Sequence, residues 1–512
     1  MSGVPIPGRF APVSINVRHA PDGAVTLSNR LPLGPYPDTL IDVLRFWATR
    51  RPAAPFLAER RPGAAGTGGV WSFISFAEMW ARTEVIAARL LGVGCGPERP
   101  VLILAPNSIA HAEVMLAAMR AGIPCAPVST AFALMSGDLA RLRHVTRLVT
   151  PQMAVLPEDS QYDAAAAAIG ETVGVVIRGG TWDTLPAIRP DELRRAEAAI
   201  GPSTVAKLLF TSGSTDAPKA VPNTHRMMCS NQAALAAIWP CIASGPLVLV
   251  DWLPWNHTFG GNFSFNMALT HGGTLYIDSG KPTPGLLAAT LANLREVAPS
   301  LYLNVPAGFE ALLPYLEADR DFARHLFSRL HLVFCAGAAL PQHARERLDA
   351  LSQAVRGGAV PILTGWGSTE TAPCATCVYS DNAVAANIGL PMPGTEVKLA
   401  PDQDKFELRV RGPNVMAGYW RTRGASAPAF DDEGFYRMGD AGKLVDPGNP
   451  QSGIVFDGRV AENFKLRSGT WVHVGALRLA ILEAGRPWVR DAVITGHDRE
   501  EIGVLVFPNV AA

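Results

Sequence analysis

Short apolar runs rich in Val, Ile and Leu recur along most of this chain. They are "PVLILA" from Pro100, "VGVVI" from Val173, "LVLV" from Leu247, "TLYI" from Thr274, "SLYL" from Ser300 and "HLVF" from His331. Each is bounded by Gly, Pro or Asn, the form a buried strand takes. Helical periodicity fills the gaps. From Phe76 the apolar positions Phe76, Met79, Trp80, Ile86, Ala87 and Leu90 fall on one face, and Gly92 and Gly94 mark the stop. Leu286 to Val297 and Gln342 to Val355 read as further helices. Strands alternating with helices predict layered α/β architecture with largely parallel sheets.

The texture changes after about Ala385. The segment "NIGLPMPGTEVKLAPDQDKFELRVRGPNVMAGYW" is punctuated by Gly and Pro, with alternation from Glu407 to Val410, and reads as a smaller β-rich unit. A second change follows "GIVFDGR", which ends at Arg459. The remainder, Val460 to Ala512, is short for an independent domain.

Acidic and basic residues are equal in number, 45 each. That balance gives no electrostatic reason to expect nucleic acid or an anionic membrane as partner, so any bound anion needs a local site. No stretch offers the ~18 uncharged apolar residues of a membrane span, and the N-terminus lacks the apolar core of a signal peptide. Seven sparse cysteines suggest reduced thiols in a cytoplasm. Cys374 and Cys377 form a lone CxxC, read as packing.

One loop offers an anion site. "TSGSTDAPK", Thr211 to Lys219, follows the expected strand "AKLLF". Gly213 permits close backbone approach, the hydroxyls are donors, and successive N–H groups in such a turn form an anion-binding nest. Lys219 adds a mobile charge. The GxxxxGK[ST] nucleotide loop is excluded, because Pro218 stands at its second glycine and Ala220 at its hydroxyl. Taken alone, the stretch also fits an ordinary surface loop.

Further motifs follow in order: "LPWNHTFGG" from Leu253, "CAGAALP" from Cys335, "TGWGSTET" from Thr364, "GYWRT" from Gly418, "GFYRMGDAG" from Gly434 and "FDGRVAENFKLRSGTWV" from Phe456. With the Thr211 loop, this series resembles the adenylate-forming superfamily of acyl-CoA synthetases, luciferases and adenylation domains. The resemblance runs from about Asp38, and the "NFKLRSGTWVHVGALR" segment is most similar to bacterial feruloyl-CoA synthetases.

The resemblance implies a two-step reaction. A carboxylate attacks the α-phosphate of ATP to give acyl-adenylate and pyrophosphate, and coenzyme A thiol then displaces AMP. It implies that Thr211, Ser212, Gly213, Ser214, Thr215 and Lys219 hold the β- and γ-phosphates, that Thr369 bonds the α-phosphate, and that Glu370 holds Mg²⁺. Gly337, Ala338 and Ala339, with Gly365, Trp366 and Gly367, resemble the walls about adenine, although Trp366 equally suits a core. Asp440 would accept both ribose hydroxyls, with Arg459 beside it; by itself an Asp after Gly is a turn former. His257 would border the reacting groups in a gating or orienting role, since a carboxylate needs no deprotonation near neutral pH. Phe259, Asn262, Phe263 and Gly337 would line the acid pocket. Lys465 would face the site in one orientation of a rotating C-terminal domain.

There are departures. Asp216 stands where the family has glycine and is expected to face solvent. Ala461 stands at the hinge, where Asp or Lys is usual. The family's last catalytic lysine, many tens of residues beyond "GRVAENFK", has no counterpart before Ala512, so the C-terminal domain is expected to be truncated. The expected organisation is an α/β fold: an adenylation core over 1–385, a β-rich subdomain over 386–458 completing a large N-terminal domain, and a partial α+β C-terminal domain over 459–512. The expected activity is that of an ATP-dependent acid–CoA ligase for a hydroxycinnamate-like aromatic acid. The alternatives are a medium-chain or other aryl acyl-CoA synthetase, or a catalytically impaired nucleotide-binding homologue.

Overall fold

A computed structural model describes residues 9–60, 69–135, 137, 139–180, 182–211, 217–380, 386–402, 405–462, 464–468, 470–472, 474–497 and 499–508. The expected elements form close to their predicted bounds. The strand Thr274–Ile277 matches to the residue, and the helix Phe76–Gly92 starts at the expected Phe76 and ends at the first of its stop glycines. The helix starts because Ser75 caps it and Glu78 closes a reciprocal capping box. Its buried face is Phe76, Met79, Thr83, Ile86, Ala87 and Leu90. Trp80 lies at the edge of that face, with the Arg120 guanidinium 3.6 Å from its ring centroid.

Among the described residues three larger sheets and two two-stranded hairpins organise the fold. Six strands run in the order Ala220–Thr224, Val205–Phe210, Cys125–Pro127, Val101–Ile103, Met153–Leu156 and Val175–Arg178, parallel except for the first pair. A four-stranded sheet joins Val248–Asp251 and Thr274–Ile277 to Pro55–Arg60 and Trp71–Ser75. The largest sheet has eleven strands. Its parallel end is Leu301–Asn304, Leu332–Cys335 and Ile362–Gly367. It continues antiparallel through Cys374–Cys377, Asn387–Pro391, Ile454–Arg459, Tyr436–Leu444, Lys405–Arg411 and Glu396–Asp402.

Its far edge comes from the start of the chain. The hairpin Ile15–His19 and Val25–Asn29 pairs with Glu396–Leu399. Asn29 locks this long-range contact, its side chain donating to Tyr379 Oη at 2.9 Å and to Pro391 O at 3.0 Å. The last elements are the helix Val474–Ala484 and the hairpin Val489–Thr495 with Gly503–Pro508. All seven cysteines are buried and free. The Cys374 and Cys377 thiols donate to Thr376 O and Val378 O, a packing role. No helix among the described residues is long and apolar enough to cross a membrane.

Candidate active site

The parallel strands Leu301–Asn304, Leu332–Cys335 and Ile362–Gly367 point the same way, so their C-terminal ends share one edge. Open α/β sheets bind ligands at that edge. Gly337, Ala338 and Ala339 follow the second strand and are exposed; Gly337 has a φ of +88°, which suits glycine. Trp366 and Gly367 end the third strand, and Thr369 and Glu370 follow in one tight turn, both nearly buried. A Cβ at Gly367 would come within 1.8 Å of Pro373 O, so only glycine lets the turn fold back here.

The Thr211 loop stands on a hairpin. Val205–Phe210 pairs antiparallel with Ala220–Thr224, and the neck is closed by Thr211 N donating to Lys219 O at 3.0 Å. Lys219 N also faces Thr211 Oγ1 at 3.3 Å. Ser212, Gly213, Ser214, Thr215 and Asp216 lie outside the described residues. Lys219 Nζ sits 5.2 Å from the Tyr419 ring centroid. The next residue, Trp420, donates its backbone N–H to Ala220 O at 2.9 Å, tying the "GYWRT" segment to the hairpin.

Tyr419 also reaches the other side of the site. Its hydroxyl donates to Glu370 Oε1 at 3.0 Å and lies 3.2 Å from Tyr436 Oη. Burial, then the Glu370 charge, pushes the Tyr419 phenol up to about 12, and the same causes raise Tyr436. Both phenols therefore stay protonated at neutral pH. The motifs themselves assign neither tyrosine. The only signal was a phenol inside each quoted motif, and their meeting requires the fold.

Trp366, Asp440 and Arg459 form a second group. Trp366 Nε1 donates to Asp440 Oδ2 at 2.8 Å. Asp440 and Arg459 are cross-strand partners, with Arg459 Nε 3.0 Å from Asp440 Oδ1. The approach is close enough for an ion pair but off the line of a hydrogen bond, so Oδ1 remains buried without a donor. Burial raises the Asp440 pKa, while Arg459 and the Trp366 bond oppose that rise.

The His257 motif packs on the same edge. Phe259–Ser264 forms a π-helical turn, a geometry frequent at functional sites. Gly260 and Gly261 make it possible, since a Cβ at either would meet Leu253 O or Trp255 O at 2.3 Å. The turn presents Phe259 and Phe263 to Phe334 of the Leu332–Cys335 strand. Phe263 stacks on Phe334 at 4.8 Å, and Phe259 meets both rings edge-on. Phe263 and Asn262 are fully buried, and Asn262 Nδ2 donates to Asn223 Oδ1 at 2.8 Å. In the sequence Phe334 is only one apolar residue of the "HLVF" run.

His257 keeps an exposed surface, yet burial of its ring among its neighbours lowers its pKa. Its Nδ1 accepts from Phe259 N at 3.3 Å, so that nitrogen is unprotonated. Lys465 is exposed on a short hairpin, paired with Trp471.

The chain is 27% identical over 447 residues to 4-coumarate--CoA ligase-like 2 of Arabidopsis thaliana, covering 81% of this chain and 73% of the relative. It is 28% identical over 405 residues to a feruloyl-CoA synthase of an Amycolatopsis species, covering 77% and 74%. Its fold is that of apo MatB from Rhodopseudomonas palustris, with a TM-score of 0.67 at 23% identity over 93% of this chain and 89% of that one. The family model described as AMP-binding enzyme matches residues 44–420, and the chain belongs to that family.

Proposed function

We propose that this enzyme is an ATP-dependent acid–CoA ligase whose acid is aromatic and of hydroxycinnamate type. The carboxylate would attack the α-phosphate, pyrophosphate would leave, and coenzyme A thiol would displace AMP from the adenylate. The first step concentrates negative charge and is favoured by donors and cations fixed in advance.

One observation carries the reading. The Lys219 ammonium and the Glu370 carboxylate meet on a single side chain, one over the Tyr419 ring and the other on its hydroxyl. A cation at the neck of a hydroxyl-rich loop and a buried carboxylate nearby are what a triphosphate with its metal requires. Among the described residues no group of three or more His, Cys, Asp or Glu forms a metal cage. Mg²⁺ commonly uses one or two carboxylates when substrate phosphates supply the rest, so Glu370 fits as its protein ligand. Bound there, Mg²⁺ would neutralise charge on the phosphate oxygens.

Thr211, the loop that follows it and Lys219 would hold the outer phosphates, and Thr369 the α-phosphate. The unbonded Oδ1 of Asp440, buried beside Arg459, would become a ribose hydroxyl acceptor once the site opens toward it. Trp366 and Gly337 to Ala339 would flank adenine. His257, neutral and accepting at Nδ1, would orient rather than deprotonate. Lys465 would enter with the C-terminal segment, pivoting at Ala461. Phe259, backed by the buried pair Phe263 and Phe334, would give the pocket an aromatic wall that suits a flat acid, with Phe263 and Asn262 behind the wall rather than on it, and the printed names of two relatives point the same way.

The test is pyrophosphate release over a panel of hydroxycinnamates, benzoates and saturated acids, with and without coenzyme A. Hydroxycinnamates should give the highest kcat/KM. A saturated acid preferred by tenfold would overturn the aromatic assignment. No acid-dependent release at all would overturn the ligase reading.

A further inference from the structure

The strand Val205–Phe210 carries a charged residue in the wrong place for stability. Lys207 has no exposed surface. Among the described residues no carboxylate pairs with it. Its ammonium donates to Gly261 O at 2.6 Å and lies 5.6 Å from the Phe265 ring centroid. An unpaired ammonium in such a setting costs folding free energy that methionine would not.

What it grips is the π-helical turn of the His257 motif. Two further polar side chains hold the same turn. Asn223, the cross-strand partner of Lys207, accepts from Asn262 Nδ2. Gln232 Nε2 donates to Asn262 O at 3.0 Å and to Phe263 O at 3.3 Å. Lys207 and Asn223 belong to the two strands whose neck holds the Thr211 loop. The hairpin beneath the loop and the turn that presents Phe259 are thus joined through side chains, and Lys207 is the charged one.

We propose that Lys207 is a positioning residue, fixing the Phe259–Ser264 turn through Gly261 O and thereby setting the acid pocket relative to the phosphate loop. The proposal rests on the ligase reading above. Burial lowers the Lys207 pKa to about 8. The titratable groups facing it are Cys125 on the neighbouring strand, His111 on the Ile109–Arg120 helix and His225 on the His225–Ile238 helix. Burial holds the Cys125 thiol up at about 12 and both histidines down at about 4, so near pH 8 Lys207 alone changes charge.

The experiment compares wild type with Lys207→Met and Lys207→Gln. In acid-dependent pyrophosphate release, Lys207→Met should raise the KM for acid by about tenfold, the loss expected of one charged hydrogen bond. The KM for ATP should move less than twofold and thermal stability should hold or rise. The wild-type KM for acid should climb between pH 7 and 9, and that of Lys207→Met should stay flat. Lys207→Gln keeps a donor and should lie between them, and it carries the test if the methionine variant does not fold. A fall in stability with acid KM, acid ranking and pH profile unchanged would show a purely structural lysine and overturn the proposal. If wild type uses no acid, the ligase reading fails by itself. Amide exchange across 259–270 then decides the tether: faster exchange in Lys207→Met supports it, and unchanged exchange overturns it.

Discussion

Trp366 and Asp440 stand 74 residues apart, yet the indole Nε1 donates to the carboxylate at 2.8 Å. The bond orients Asp440 and leaves its other oxygen without a donor. Trp366→Phe keeps the ring and removes the donor. AMP affinity should fall by roughly tenfold, since a hydrogen bond to a charged group contributes about 1.5–3 kcal/mol. Calorimetric titration with AMP measures this, and unchanged affinity would separate Trp366 from the ribose site.

Tyr419→Phe tests the meeting of Lys219 and Glu370. The ring under Lys219 remains, and the bond to Glu370 Oε1 is lost. Adenylation should slow by about tenfold with a shifted Mg²⁺ optimum, by the same hydrogen-bond scale. Pyrophosphate release across a Mg²⁺ titration reads both. A normal Mg²⁺ curve would remove Tyr419 from the metal's surroundings.

Phe259→Leu reshapes the ring cluster at modest cost. Phe259 is 5% exposed and touches Phe263 and Phe334. A roughly volume-conserving apolar change should cost about 1 kcal/mol of stability, while acid preference should shift toward non-aromatic chains. The same panel of acids, run beside a thermal melt, checks it. An unchanged ranking would place Phe259 in the general core.

Much of this layout could be read in advance, for identifiable reasons. The Phe76–Gly92 helix declares itself locally, through one apolar face and a glycine stop. Thr274–Ile277 does the same as a short apolar strand. Asp440 and Glu370 stood out because they sit in motifs with a recognisable order. Tyr419 and Phe334 did not, because their partners come from distant segments and no local pattern encodes such a meeting. The Phe259–Ser264 turn was hidden too, because its two glycines are there to let the backbone of 253–255 pass within contact, a need no local pattern shows.

Acid stability offers a fourth test. Burial lowers the His271 pKa to about 4, and its Nε2 has no partner. The unfolded chain, with a histidine pKa near ~6.5, binds more protons between these values, so stability falls as pH drops from about 6.5 to about 4. His271→Gln removes that contribution. The gap in Tm between pH 7 and pH 4.5 should narrow relative to wild type. Asp251, raised by burial to about 7, acts in the opposite sense and is present in both proteins. An equal gap would show that His271 does not titrate in this window.

The hairpin at the start of the chain has a consequence for biosynthesis. Asn29 bonds to Pro391, 362 residues later, and Val25–Ser28 pairs with Glu396–Leu399. A ribosome adding about 5–20 residues per second needs roughly 20–70 s to make that partner. For that interval the nascent hairpin has an edge with nothing to pair with, and such edges attract other chains. Its sequence answers this. The waiting edge, Val25–Asn29, "VTLSN", interrupts its two apolar residues with Thr, Ser and Asn, and the outer strand Ile15–His19, "INVRH", keeps four of its five side chains exposed. The hairpin leaves the ribosome long before the strand that completes it, and polar side chains suit the wait.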